Sequence, residues 1–444
     1  MVNFAGLEFI FGFLPIFLVI YYATPKKYRD TILLVGSLFF YAVGEPVYFL
    51  LFILLTGINY FLAGKVAGNK RGMLAAVLLD VAVLAVFKGL NFYTESILLP
   101  MGISFYLFKM ISWQVDVYSG RIKEKKNFQT VMLYFSLFPQ VISGPIMRYE
   151  EGNFTKRRRY TLWQFEEGLE YFVMGLGMKV LLADRLSILW RDLQMIGFES
   201  ISTPLAWFGM IGYSLQLYFD FWGYSLMASG IMVMLGFDFI ENFHHPYAAR
   251  SISEFYRKWH MTLGRFFKDY VYIPMGGSRC SKGKVVFNLA LVWLLTGIWH
   301  GNGLNFVIWG IVLGTLIIAE KLLYGEALAK MPVLGNLYVL FFIPISWVIF
   351  AITDLRQLMV YFGRLFPFLG MEGIAVNTQD IVKYSQTYGL LFAVGILLCI
   401  PAVFELIKKH RRNPVIALLL AAVFWYSVHF LISNQSNPFM YFSF

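Results

Sequence analysis

The sequence predicts an all-α polytopic membrane protein, with about 10 to 12 transmembrane helices plus re-entrant or interfacial helices around a central cavity. Of its 444 residues, 59% are hydrophobic and only 14% are charged, whereas a soluble domain carries about 25% charged residues. Almost uncharged stretches recur along the chain, the clearest being Leu7 to Tyr22, Met73 to Phe87, Val285 to Trp299, Leu304 to Ala319 and Leu390 to Ile400. Several are shorter than the roughly 20 residues of a simple span, so we expect some helices to be completed by polar flanks or to stop partway.

The basic loops predict the orientation of the chain. Lysine and arginine clusters follow the first apolar stretch and recur later, at Lys26 to Arg29, Lys65 to Arg71, Arg121 to Lys126, Lys156 to Arg159 and Lys408 to Arg412. Because such loops stay in the cytoplasm, they predict a cell-membrane protein with an extracytoplasmic N-terminus. The first residues lack the charged segment and cleavage site of a signal peptide. The net charge of +11 is then explained by topology, and no motif supports nucleic-acid binding.

Residues 1–444 are predicted to form one membrane-embedded domain, because no long linker, low-complexity tract or fixed-period repeat divides them. Glycine and proline interrupt the helical pattern at several points. At membrane depth such breaks are tolerated only where backbone is buried in protein or faces a cavity. We therefore expect Pro100 to Tyr118 and Phe138 to Tyr149 to form walls of an internal cavity. Between Thr353 and Lys383 the pattern weakens, which predicts a non-spanning, extracytoplasmic segment.

The segment Ser253 to Ile273 is too charged to cross lipid and too aromatic for a soluble loop. If it is helical, one broad face carries basic and small residues: Arg257, His260, Gly264, Lys268 and, near its edge, Arg265. We expect an interfacial or re-entrant helix near the cytoplasmic headgroups. Its three cations are candidates to bind the phosphates of coenzyme A or a related thioester donor. The alternative is a basic helix that only anchors the protein.

The segment Val285 to Asn305 ends in Trp299 and His300. About 15 helical residues rise roughly 22 Å, which places His300 well inside the bilayer or near its outer third. A membrane histidine is costly unless it is paired or lines a water-filled cavity, and its ordinary pKa of about 6.5 suits proton transfer. Small or polar residues then end the helix and are expected to leave an open approach to the imidazole: Gly301, Asn302 and Gly303. The alternative is a core histidine satisfied by a neighbouring carbonyl.

Other polar residues give weaker signals. Asp220 lies amid aromatic residues in a hydrophobic run and needs a partner; we expect it to orient a histidine or to pair with an arginine such as Arg148. His244 and His245 are adjacent in a loop without further ligands, and we predict no metal site. The two cysteines cannot form a disulfide framework, and Cys280 has no partnered base near it in the sequence.

Several motifs resemble those of the membrane-bound O-acyltransferase family, in the branch typified by the alginate O-acetyltransferase membrane subunit. The similarity runs from about residue 100 to residue 315 and is carried by PMGISFYLFKMISW, SGPIMRY, YSLQLYFDFWGYSLMASG, ENFHHPYAARSISEFYRKWH, DYVYIPMGGSR and LLTGIWHG. By motif, His300 matches the family's catalytic histidine and His260 its second functional position. The chain departs from the expected pattern at Trp222, Leu226, Thr262 and Gly264, which leaves the identity of the acceptor open.

The resemblance implies an O-acyltransferase that passes an acyl group, in this branch acetyl, from a cytoplasmic thioester donor to hydroxyls of an extracytoplasmic polysaccharide or cell-wall polymer. It implies acetyl-CoA or another acyl thioester as substrate, no tightly bound cofactor, and a separate extracytoplasmic acetyl-handling partner protein. The residue chemistry agrees, because a histidine acting as general base can take the proton of an attacking hydroxyl. The alternative from another class is a transporter or flippase that uses His260, His300 and Asp220 as a proton relay.

Overall fold

The computed structural model describes residues 3–93, 99–123, 126–152, 154, 158, 160–369, 377–411 and 413–433. Within these ranges the chain is helical and has no β-strand, so the all-α prediction is confirmed. The α-helices of the described ranges, numbered α1 to α20, are Leu14–Ala23, Arg29–Gly44, Phe49–Val66, Lys70–Tyr93, Ile103–Tyr118, Phe128–Ser136, Phe138–Val141, Leu162–Gly177, Asp184–Ile196, Thr203–Met234, Ile252–Lys258, Met261–Phe267, Lys282–His300, Leu304–Ala319, Gly325–Ala329, Pro332–Ala351, Leu355–Leu365, Asp380–Cys399, Pro401–Lys409 and Pro414–Ser433. Single π-helical turns adjoin some of them, at Glu8–Phe13, Met178–Ala183, Lys268–Tyr272 and Glu320–Tyr324.

Seven helices of the described chain are long and apolar enough to cross a membrane: Phe49–Val66, Lys70–Leu90, Lys282–His300, Leu304–Ala329, Pro332–Ala351, Asp380–Cys399 and Pro414–Ser433. Their outer faces expose large apolar side chains. Leu50, Phe61 and Leu418 are each more than two thirds exposed, which lipid favours and water does not. The prediction of a polytopic membrane protein is confirmed. The larger number of about 10 to 12 spans stays a prediction.

The described residues form two compact units. The first contains the described part of Met1–Leu176, Tyr224–Glu241 and the end of α20 from Leu431, and the second contains Gly177–Gly223 and the described part of Asn242–Phe430. Helix α10 has 32 residues and contributes to both units. The expectation of one membrane-embedded domain for the whole chain stays a prediction.

In the first unit, the two segments expected to wall a cavity pack directly against each other. Gly102, just before α5, has a φ of 70°, and a Cβ atom there would lie 2.1 Å from the carbonyl oxygen of Val141. Helix α5 is buried along most of its length. Neither segment is among the residues that line the cavity of the second unit, and the expectation that they wall an internal cavity stays a prediction. The glycine serves a left-handed turn and a close approach of two backbones.

In the second unit, glycines bring α13 and α14 close together. A Cβ atom on Gly297 would lie 2.5 Å from the oxygen of Phe306, and one on Gly310 would lie 2.5 Å from the oxygen of Trp293. Small residues allow membrane helices to approach closely and pack over a large area. This contact fixes the end of α13, which carries His300, against the beginning of α14.

The segment predicted not to span contains α17, which has only eleven residues. The side chain of Asp354 caps it by accepting hydrogen bonds from the backbone N–H groups of Arg356 and Gln357, at 2.7 and 3.1 Å. A helix of this length is too short to cross a bilayer, in agreement with the prediction. Residues 370–376 of this segment lie outside the described chain. So do parts of three basic loops, at 124–125, 155–157 with 159, and 412.

Candidate active site

The segment predicted as one helix consists of two, α11 and α12, which meet at Trp259 and His260. His260 has a φ of 44°, in the left-handed region that residues other than glycine rarely adopt. Ser251 caps α11 by accepting a hydrogen bond from the backbone of Glu254 at 3.0 Å. The prediction of one continuous helical face is therefore wrong. Each helix has only seven residues, so neither crosses the membrane, as the charge of the segment indicated.

The segment from Asn242 to His244 holds the break between α11 and α12 in place. The backbone N–H of His244 donates to the carbonyl of Lys258, and that of Met261 donates to the carbonyl of Asn242, both at 2.9 Å. The side-chain oxygen of Asn242 also lies 3.1 Å from Nδ1 of His260. Sequence reasoning missed Asn242, although it belongs to the quoted motif ENFHHP and is a buried polar residue.

A cavity of about 890 Å³ lies beside the break, and the residues lining it all belong to the second unit. It brings together the five residues predicted for catalysis and donor binding: His260, His300, Arg257, Arg265 and Lys268. Two further cations line it, Arg250 and Lys321. The structure therefore gathers on one cavity groups that lie as far apart in the sequence as Arg250 and Lys321.

The carboxylates on the same cavity are Glu254 and Glu320, and both are engaged by other groups. Glu254 lies 2.7 Å from the ammonium of Lys258. Glu320 accepts hydrogen bonds from the backbone N–H groups of Ile252 and Ser253, at 2.5 and 2.9 Å. A carboxylate is favourable at the N-terminus of a helix, so Glu320 ties the end of α14 to the start of α11. The cations of the cavity thus outnumber its anions, and the lining is suited to an anionic ligand.

His300 closes α13 in aromatic surroundings. Its ring centroid lies 4.5 Å from that of Trp299, 5.1 Å from that of Trp309 and 5.2 Å from that of Phe350. One turn earlier on α13, Thr296 lines the same cavity, as do Val292, Trp293 and Leu289 below it. From Leu289 to His300 the helix rises ~16 Å. The cavity wall on α13 is thus a long, mostly apolar stripe that ends at the imidazole.

The residues after His300 do not open an approach to the ring. A Cβ atom on Gly301 would lie 2.2 Å from the ring of Phe306, and one on Gly303 would lie 2.3 Å from the side chain of Asn305. Asn305 donates in turn to the carbonyls of Ile349 and Phe350, at 3.2 and 3.0 Å. The glycines therefore allow a tight connection between α13 and α14, and the expectation of an open approach from their side is wrong.

The supporting residues predicted from the sequence are not among those that line the cavity. Asn302 is exposed, while Trp299 packs beside His300 with the two ring planes tilted. Arg148 belongs to the first unit, where its backbone donates to Glu151 at 2.9 Å. Asp220 forms an ion pair with Lys179, whose ammonium lies 2.7 Å from both Asp220 and Asp184. Lys179 is thus a partner of Asp220 that the sequence did not indicate, and the expected pairing of Asp220 with a histidine or with Arg148 stays a prediction.

Asp220 still lies next to a residue that touches the site. The ring of Phe221 packs edge-on against the imidazole of His260, with centroids 4.5 Å apart. Because Lys179 fixes the neighbouring residue on α10, the ion pair and the histidine share one short stretch of helix. Asp220 is thus the chain neighbour of a residue that packs on His260, and it is not among the residues that line the cavity.

Residues 121–360 match the sequence model of the MBOAT, membrane-bound O-acyltransferase, family. The chain belongs to this family. It is 34% identical over 439 residues to the probable alginate O-acetylase AlgI of Pseudomonas putida, covering 92% of this chain and 88% of the relative. It is 36% identical over 394 residues to the protein of the same name from Pseudomonas syringae pv. tomato, covering 82% and 75%.

A third relative is the peptidoglycan O-acetyltransferase of Helicobacter pylori, 32% identical over 425 residues, which are 83% of this chain and 80% of the relative. The membership confirms the resemblance noted in the motifs. The protein is a membrane-bound O-acyltransferase, and the alternative of a transporter is set aside. Two of the departures from the expected motif also become understandable. Thr262, where the family pattern has a serine, also carries a hydroxyl, which donates to Asn242 at 2.9 Å. Gly264 lies on the cavity lining.

Proposed function

We propose that the enzyme transfers an acetyl group from a phosphorylated thioester donor to hydroxyl groups of an extracytoplasmic polysaccharide or cell-wall polymer. The observation that carries this proposal is the single cavity shared by two histidines and an excess of cations. His300 is proposed as the general base, and Arg257, Arg265 and Lys268 as donor-binding residues.

The shape of the cavity supports a donor with a charged head and a long arm. Ser278 lines the cavity and accepts a hydrogen bond from Lys321 at 2.9 Å. Asn288, near the start of α13, donates to the carbonyl of Gly277 at 3.2 Å. The loop that contains Gly277 and Ser278 therefore lies beside the first turns of α13. His300 lies at the other end of the same helix. Acetyl-CoA would fit such a cavity with its phosphates among the cations and its thioester toward His300.

The proposed reaction is an acyl transfer with histidine as base. His300 takes the proton from an acceptor hydroxyl while the hydroxyl oxygen attacks the thioester carbonyl. The new C–O bond forms, the C–S bond breaks, and the thiolate leaves with the proton returned by the imidazolium. General-base catalysis typically contributes about 10² to 10⁴ in rate. The tryptophans around His300 keep water from the ring, which strengthens the electrostatic interactions inside the site.

The acceptor is proposed from the relatives, which are named for alginate and peptidoglycan. Both are extracytoplasmic polymers with free hydroxyls, so we place the enzyme in the cell membrane. The basic loops favour a cytoplasmic donor side and an extracytoplasmic N-terminus. A separate extracytoplasmic acetyl-handling protein is a further proposed partner.

Reconstitution into proteoliposomes tests the proposal. Acetyl-CoA labelled in the acetyl group is supplied on one side, and alginate or peptidoglycan fragments on the other. We expect label on one polymer with the wild-type protein and none with His300→Ala. Label that crosses the membrane without becoming attached to any polymer would contradict the proposed reaction.

A matched control uses His429, an exposed histidine on α20. His429→Ala removes the same group from another membrane helix and should leave transfer unchanged. If both histidine variants lose transfer equally, the loss does not come from the cavity.

A further inference from the structure

The contacts of Asn242 determine how His260 carries its proton. The side-chain oxygen of Asn242 lies 3.2 Å from the backbone nitrogen of Thr262, 2.9 Å from the hydroxyl of Thr262 and 3.1 Å from Nδ1 of His260. Asn242 and His260 are each only 3% exposed. Together with the backbone bond from Met261 to Asn242, these contacts clamp the asparagine to the break between α11 and α12.

The backbone N–H of Thr262 decides the orientation of the Asn242 amide. A backbone N–H can only donate, so the atom that faces it is the amide oxygen and not the amide nitrogen. An amide oxygen can only accept, so Nδ1 of His260 must carry a hydrogen in order to bond to it. A neutral imidazole has one N–H, and the lone pair of His260 therefore belongs to Nε2.

We propose that Asn242 is a positioning residue that fixes the neutral Nδ1–H form of His260, so that Nε2 accepts a hydrogen bond from an O–H or N–H group of a substrate in the cavity. This proposal rests on the proposed function, in which donor and acceptor meet there. His260 then acts toward the substrates as a hydrogen-bond acceptor, and not as a cation.

The surroundings of His260 also oppose a positive charge on its ring. Burial lowers its pKa to about 3, and Phe221 packs against it from α10. The cavity that it lines carries several cations and one further histidine: Arg250, Arg257, Arg265, Lys268, Lys321 and His300. Nearby positive charges disfavour protonation of a histidine. The two carboxylates on the cavity, Glu254 and Glu320, are engaged by Lys258 and by the N-terminus of α11.

The pH dependence of transfer tests this role. Asn242→Asp keeps the shape and the accepted hydrogen bonds, but its carboxylate stabilises the imidazolium and raises the pKa of His260. We expect a loss of transfer that grows as the pH falls below about 6 and reaches roughly tenfold at about pH 5, with recovery as the pH rises and the imidazole becomes neutral again. Asn242→Ala releases the ring and should lose activity at every pH.

Thr262→Val is the matched control, because it removes one hydrogen bond to the same oxygen and leaves His260 Nδ1 in place. It should keep the wild-type pH profile. A purely structural role for Asn242 would give Asn242→Asp the wild-type profile as well, and that result would overturn the proposal.

Nitrogen-15 NMR of histidine-labelled protein gives a readout that needs no transfer assay. The chain has six histidines, and the spectrum of His260→Gln identifies the signals of His260. We expect a protonated Nδ1 and an unprotonated Nε2; a protonated Nε2 would overturn the proposal. The expected spectrum without transfer to any polymer would support the tautomer and count against the proposed function.

Discussion

Lys179, Asp184 and Asp220 form a buried cluster in which one ammonium contacts two carboxylates directly. The buried histidines and the cations of the cavity lining instead surround an open volume. In the first cluster the ammonium lies 2.7 Å from both carboxylates, and none of the three side chains is more than 5% exposed. In the second, His260, His300 and the donor-binding cations line about 890 Å³.

The presence of an open cavity distinguishes the groups that line it, which can react with a substrate, from the Lys179 cluster, which stabilises the fold. The rule that ionisable residues inside a membrane mark functional sites applies equally to Asp220 and to His300. His300 lines a cavity that a substrate can enter, and Asp220 is not among the residues that line it. A charge whose partners are already within 3 Å contributes chiefly to stability, and a polar group beside a cavity is the better candidate for chemistry.

The largest expected effect is that of His300→Ala on catalysis. Removing the proposed base should lower the transfer rate about 10² to 10⁴-fold and leave the thermal unfolding temperature near that of the wild type. Transfer is measured with saturating donor, and unfolding with the same purified protein. A variant with near wild-type transfer would refute the general-base assignment.

Lys179→Met should have its main effect on folding. It leaves two carboxylates buried without their cation, and breaking a buried ion pair in this way typically costs about 3 to 5 kcal/mol. Chemical unfolding in detergent measures the loss. The triple variant Lys179→Met, Asp184→Asn, Asp220→Asn removes all three charges and should regain most of the stability and activity. A triple variant that is folded but inactive would give Asp220 a role in the reaction.

Replacement of the cavity cations should weaken donor use in particular. Arg257→Ala, Arg265→Ala and Lys268→Ala each remove a proposed charge-assisted hydrogen bond worth about 1.5 to 3 kcal/mol, so the donor KM should rise at least about tenfold. The acceptor KM should change little. Arg279→Ala is the control, since Arg279 is exposed and is not among the lining residues. Equal losses for donor and acceptor would favour a helix that only anchors the protein.

Glu320→Gln should have the smallest effect. Glu320 lines the cavity. Like the carboxylates that contact Lys179, however, it already has partners, because it accepts hydrogen bonds from the N-terminus of α11. Loss of its charge should cost about 0.3 to 1 kcal/mol of stability, seen as a small decrease in the unfolding temperature, while transfer is retained. A hundredfold loss of transfer at normal stability would assign Glu320 to the reaction instead.

The sequence predicted those features that depend on short-range patterns. The apolar runs indicated the membrane helices, and the composition of Ser253 to Ile273 indicated a non-spanning segment. The position of His300 at the end of such a run marked it as a candidate. Each of these can be recognised within one helix or one loop.

The sequence could not predict contacts between distant residues. Asn242 and His260 are 18 residues apart, and Glu320 is 67 residues from Ser253. Helical spacing also placed His260 on a continuous face, because the pattern carries no sign of a left-handed residue between α11 and α12. The glycines after His300 were misread for a related reason, since the ring of Phe306 fills their space.

The left-handed backbone conformation of His260 implies a trade-off between the stability of the fold and the activity of the enzyme. A residue other than glycine in this conformation costs about 1 to 3 kcal/mol, and glycine adopts it freely. His260→Gly would therefore relieve backbone strain while deleting the imidazole. In a library screened for heat resistance alone, glycine at this position should be enriched among inactive clones. In a library screened for polymer acetylation, histidine should persist despite its conformational cost.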